Sequence, residues 1–107
     1  MRPGSALGLA SSMLVLAATS AAAAPVDRTE RLAAACNGCH GPDGRGSGAI
    51  PVLAGQEAAA ITERLNDWRA SEPEGRDHVM ARFARGLSDA DVRALADHYA
   101  ALAAPDA

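Results

Sequence analysis

Apolar residues recur at helical spacing in two stretches of this chain and more loosely in a third. From Glu57 to Ala70, the residues Ala58, Ile61, Leu65 and Trp68 fall three, four and three positions apart, which puts them on one face of a helix. After Ser88, the residues Val92, Leu95, Ala96, Tyr99 and Leu102 mark a second stripe, and Pro105 is expected to end that helix. Ser88-Asp89-Ala90-Asp91 resembles a capping box with Asp91 in place of the usual Glu. Val26 to Ala35 predicts a short first helix, with Leu32 and several alanines on its apolar side. The segments between are of another kind. Gly41 to Gly48 (GPDGRGSG) has four glycines, a proline and an Asp, and is expected to be a loop without regular structure. Ile50 to Gly55 is apolar and extended, Ser71 to Asp77 is a polar loop, and His78 to Gly86 fits either a helical turn or an irregular loop. With three to five short helices, the fold class is all-α.

The N-terminal residues follow a different pattern. Arg2 supplies a short positive start, and Ala6 to Ala18 (ALGLASSMLVLAA) is an apolar run too short to span a bilayer. Ala21 to Ala24 offers small residues to a signal peptidase, and Pro25 favours a cut after Ala23. Residues 1–23 are therefore expected to be a cleaved export signal, the alternative being an uncleaved anchor, and residues 24–107 one domain. No Cys lies near the cut, so a lipid anchor is not expected, nor is stable membrane insertion after cleavage.

Export gives context to Cys36-Asn37-Gly38-Cys39-His40. C-x-x-C-H is the attachment sequence of a c-type haem: two thiols add across the haem vinyl groups, and the following His is held under the iron. These are the chain's two cysteines. A redox pair usually stands beside a βαβ pattern, and no strand pattern stands near this one. A structural zinc site needs four ligands, and the other histidines are His78 and His98. One covalent haem c is the expected cofactor. The net charge of −3 grows one unit more negative without Arg2, and this acidic balance does not favour nucleic-acid binding, which wants a basic surface. The aromatics are Trp68, Phe83 and Tyr99, so the core is thin and the haem-free chain is expected to fold poorly.

The opposite face of the iron decides the redox behaviour. With the signal removed, Met80 is the remaining methionine, and its neutral thioether would favour ferrous iron; ordinary core packing is its other use. His78 is the competing ligand, and His98, off the Leu95–Tyr99 stripe, is expected to be solvated. Pro51 offers a carbonyl to the free ring N–H of His40. Trp68 either packs or gives its indole N–H to a haem propionate, and Arg45, Arg76, Arg82 and Arg85 are further propionate or partner contacts, or solvated surface.

The chain resembles the class I cytochromes c over its whole mature length. The residues that carry the resemblance are the helix running into Cys36–Gly41, the Gly-rich loop, Pro51-Val52-Leu53-Ala54-Gly55-Gln56, Met80, and Leu87-Ser88-Asp89-Ala90-Asp91 with Tyr99 beyond. Within the class it is similar to small bacterial cytochromes akin to single domains of dihaem cytochromes. Through Val79-Met80-Ala81-Arg82-Phe83-Ala84-Arg85-Gly86-Leu87-Ser88, it is also similar to the haem subunit of flavocytochrome c sulfide dehydrogenases. The resemblance implies thioethers at Cys36 and Cys39, axial ligands His40 and Met80, a Pro51 carbonyl on His40, and first and last helices crossing at Leu32, Leu95 and Tyr99. The lysine ring of mitochondrial relatives is missing. The leading expectation is a periplasmic one-electron carrier with no catalytic residue, serving redox partner proteins. The alternatives are a haem subunit of a flavoprotein dehydrogenase and, in another class, an open-site peroxidase or gas sensor.

Overall fold

The computed structural model describes residues 26–72 and 79–106, together with the isolated positions 4, 8 and 12–14. Most of the expected export signal, together with Arg76 and His78, lies outside the described residues.

The described part is four helices joined by turns: α1 (Arg28–His40), a 3₁₀ turn (Pro42–Gly44), α2 (Ala58–Ala70), α3 (Val79–Arg85) and α4 (Asp89–Ala100). Among the described residues, extended pairing is limited to an isolated bridge between Ser47 and Ile50, and no helix is long and apolar enough to cross a membrane. Asp27 caps α1 by accepting from the Glu30 N–H. This helix starts later and runs further than Val26–Ala35: it continues through the whole C-x-x-C-H segment to His40. Asn37 and Gly38 are poor helix formers, and the pull of tertiary contacts on Ala33 and Asn37 overrides them. The Gly41–Gly48 stretch is likewise not wholly irregular, because it contains the 3₁₀ turn. His78–Gly86 resolves into a helix from Val79.

Helix α2 buries Ile61 and half-buries Ala58, Leu65 and Trp68, the face its spacing requires. Helix α4 opens on a complete capping box: Ser88 Oγ accepts from the Asp91 N–H, and Asp91 accepts from the Ser88 N–H, both at 3.0 Å. Val92, Leu95, Ala96 and Tyr99 are buried beneath it. The helix ends at Ala100, ahead of Pro105, in a turn closed by Leu102 N–H to Tyr99 O at 3.2 Å. His98 is half-buried rather than solvated, and its ring meets that of Tyr99 edge-on at 4.9 Å. Helices α1 and α4 cross where Ala33, buried, lets them approach closely, with Leu32 packed partly at the side.

A long-range ion pair locks that crossing. Arg28 donates from Nε and a terminal nitrogen to the two Asp91 oxygens at 2.8 and 2.9 Å. Asp91, 6% exposed, thereby serves both its own helix and α1. The Arg28 hydrogen bonds and the Ser88 N–H hold its carboxyl well below the usual carboxylate range. A depressed folded pKa contributes stability that is complete above the unfolded value of about 3.9 and is lost as pH falls below it. Asp91→Asn is therefore expected to lower stability at neutral pH and to flatten the decline in denaturant midpoint below about pH 4. Parallel acid profiles for variant and parent would count against this coupling.

Candidate functional site

The helices surround an apolar cleft of about 270 Å³. Cys36, Cys39 and His40 face it from the last turns of α1, Leu65 and Trp68 from α2, and Met80 and Phe83 from α3. Pro51 and Gln56 reach it from the connection between α1 and α2. Of the five residues singled out in the sequence, Cys36, Cys39 and His40 come from α1, Met80 from α3 and Pro51 from the connecting segment; all five line this one cleft. Neither cysteine is in a disulfide; Cys36 is half-buried and Cys39 exposed. Burial pushes the Cys36 thiol pKa up, against a smaller opposing effect of the Tyr99 hydroxyl.

The connection after α1 explains how His40 is presented. Gly41 adopts φ +84°, and a Cβ there would collide with the Gly46 carbonyl, so the chain can reverse directly after His40. The reversal is fastened by Gly46 N–H to His40 O at 2.6 Å. Gly44, at φ +68°, leaves no room for a side chain beside the Tyr99 ring, 2.6 Å from where a Cβ would sit. Its carbonyl accepts from both Leu53 N–H and Ala54 N–H, at 2.7 and 3.0 Å. These bonds lay the Pro51–Gln56 segment across the end of α1.

That placement brings Pro51 O to 2.7 Å from His40 Nδ1. A carbonyl only accepts, so Nδ1 must carry the ring proton, and in the neutral ring Nε2 keeps its lone pair for a ligand. The buried Tyr99 hydroxyl lies 3.0 Å from Ala33 O and 2.6 Å from Asn37 Oδ1. With one proton it donates to one of them at a time. Tyr99 thus ties the first intervening residue of the C-x-x-C-H segment to α4. Burial, with the neighbouring Cys36 thiol, raises the Tyr99 pKa far above its ordinary value, so it remains a neutral donor.

Met80 is half-buried, in the first turn of α3 rather than in a loop. Trp68 is half-buried and lines the cleft. Arg64 also lines it, one helical turn before Trp68 on α2. Sequence reading missed Arg64 because a single arginine among ten has no local signal. Of the arginines named from the sequence, Arg85 instead bonds Ser71 O at 3.1 Å and faces Glu72 at 3.7 Å, while Arg45 and Arg82 are exposed. Among the described residues, no group of three His, Cys, Asp or Glu side chains is arranged to hold a metal ion. The donor set fits a haem well: two thiols, an imidazole with its outer nitrogen fixed, a thioether, and apolar walls.

The family described as "Cytochrome C oxidase, cbb3-type, subunit III" matches residues 23–98. The chain belongs to this cytochrome c family. As a cytochrome c it carries covalently bound haem c, in an all-α fold. It is 41% identical over 73 residues to the thiosulfate dehydrogenase electron acceptor of Stutzerimonas stutzeri, covering 66% of this chain and 34% of that protein. It is 36% identical over 66 residues to cytochrome c-554(548) of Halomonas halodenitrificans, covering 60% of this chain and 80% of that protein. Similarity to the cytochrome subunit of sulfide dehydrogenase of Chlorobaculum tepidum is 32% over 72 residues, covering 67% of this chain and 64% of that protein. The cytochrome thus spans about a third of the length of the Stutzerimonas protein.

Proposed function

We propose that this cytochrome c transfers single electrons between redox proteins in the periplasm, its iron held between His40 and Met80 and its haem bonded to Cys36 and Cys39. The observation that carries this reading is the convergence of both thiols, the His40 ring and the Met80 thioether on one apolar cleft. When bound, the haem supplies exchange between ferric and ferrous iron. The chain's residues do the rest. Pro51 O keeps the proton on Nδ1 and orients the ring. Apolar walls limit water and favour the less charged ferrous site. Arg64 and Trp68, both on α2 and lining the cleft, would give their guanidinium and indole N–H groups to propionates. Export rests on the leader-like residues 1–23.

A second reading is a haem subunit held by a flavoprotein dehydrogenase, as the similarity to the sulfide dehydrogenase cytochrome subunit suggests. Val79 is 60% exposed, and Val79 and Pro51 both line the cleft, so apolar surface stands at the cleft where such a partner would dock.

Potentiometry on the purified haem protein tests the reading. One Nernstian one-electron wave, with negligible carbon monoxide binding on mixing, is the expected result. Rapid carbon monoxide binding by most of the ferrous protein would overturn it and favour an open-site haem protein. Co-purification with a flavin-containing chain would move the subunit reading ahead.

A further inference from the structure

The Pro51–Val52 dipeptide sits between two fastened points. Ahead of it, Ile50 is pinned by the two bonds of the Ser47 bridge, at 2.9 and 3.2 Å; behind it, Leu53 and Ala54 both donate to Gly44 O. Pro51 has no N–H to give. Among the described residues, the carbonyls of the dipeptide accept one hydrogen bond each: Pro51 O from His40 Nδ1, and Val52 O from the side-chain amide of Gln56. Because Val52 O can only accept, the Gln56 atom facing it is Nε2. Gln56 is itself half-buried, lines the cleft, and has its backbone N–H tied to Leu53 O at 3.2 Å, so its amide is delivered from a closed turn.

We propose that Gln56 is a positioning residue for the iron centre: by holding Val52 O it fixes the Pro51 carbonyl on His40 Nδ1 and so sets the orientation and electron donation of that ring. The inference rests on the reading of His40 as an axial ligand. A carbonyl drawing on Nδ1–H makes the imidazole a stronger donor and favours ferric iron. Slackening the Pro51 carbonyl weakens that donation and shifts the balance toward ferrous iron.

The test uses the ferrous haem protein labelled with ¹⁵N-histidine. Gln56→Met keeps the side-chain length and removes the donor. It is expected to speed solvent exchange of the His40 Nδ1–H by about fivefold, the scale of one hydrogen bond. A matching fivefold shift toward ferrous iron raises the potential by about 40 mV at ~59 mV per tenfold. Gln56→Lys restores a donor of similar reach and is expected to return exchange to the parent rate. If Gln56→Met fails to mature, Gln56→Asn gives the same comparison, its amide withdrawn by one methylene. Parent-like exchange and potential in the donor-free variant overturn the role of Gln56. A parent protein whose His40 ring shows no haem-shifted resonances overturns the ligand reading instead, so the two failures are distinguishable.

Discussion

Made without haem attachment, as Cys36→Ser/Cys39→Ser, the chain will lose its fixed tertiary structure. Among the described residues, ten apolar ones are buried: Ala33, Ala54, Ile61, Ala81, Ala84, Leu87, Val92, Leu95, Ala96 and Tyr99. Half of them are alanines, which contribute little area. The bulkier Leu53, Leu65, Trp68 and Phe83 are only partly buried, and all four face the cleft. Burying a Leu or Phe fully is worth about 1.5–3 kcal/mol, so four such side chains left facing water forfeit several kcal/mol. A domain of this size has about 5–15 kcal/mol in total, and the loss is large enough to decide the outcome. The expected result is a haem-free chain with weakened near-ultraviolet circular dichroism, unprotected amides in α2 and α3, and no cooperative thermal transition. A sharp transition with protection like that of the haem protein would show that the helices do not need the macrocycle.

Met80→Ala will abolish the weak red-edge sulfur-to-iron band of the ferric protein and lower the reduction potential. The drop is expected to be a substantial part of the roughly 0.8 V that axial ligands span. The fold should survive, because Ala is the stronger helix former in α3. Cyanide binding, slow in the parent, should become rapid as the sixth position opens. Absorption spectra, potentiometry and stopped-flow mixing read these effects separately. If the band persists in the variant, Met80 is core filling. If the parent is low-spin without such a band, His78, outside the described residues, becomes the ligand to test by His78→Ala.

Local chemistry was legible where it is written in neighbouring residues. The Ser88–Asp91 capping box, the α2 face and the C-x-x-C-H segment could all be read from short spacings, and the structure forms the first two as read. The extension of α1 to His40 was not legible, because Asn37 and Gly38 argue against helix while Tyr99, 62 residues further on, holds Asn37 in place. Asp91 could be read as a cap and not as the partner of Arg28, which lies 63 residues away. Met80 and Pro51 were singled out from the sequence and both line the cleft, while α3, which carries the methionine, was not legible. Seven residues hold too few turns for a period to be told from an irregular loop. Gln56 was legible only as the end of the Pro51–Gln56 motif and Arg64 had no signal at all, since their places on the cleft depend on where the chain returns to itself.

The double acceptance at Gly44 O has a companion at the next turn, where Gly55 N–H donates to Tyr99 O at 2.9 Å. The segment carrying Pro51 is therefore sewn through its backbone to both the end of α1 and the end of α4. If His40 binds the iron as proposed, a ring held through its Nδ1–H by such a frame would have little room to shift when the charge on the metal changes. For the proposed outer-sphere transfer, the consequence would be a small inner reorganisation energy, with little activation spent on moving the protein between the ferric and ferrous forms.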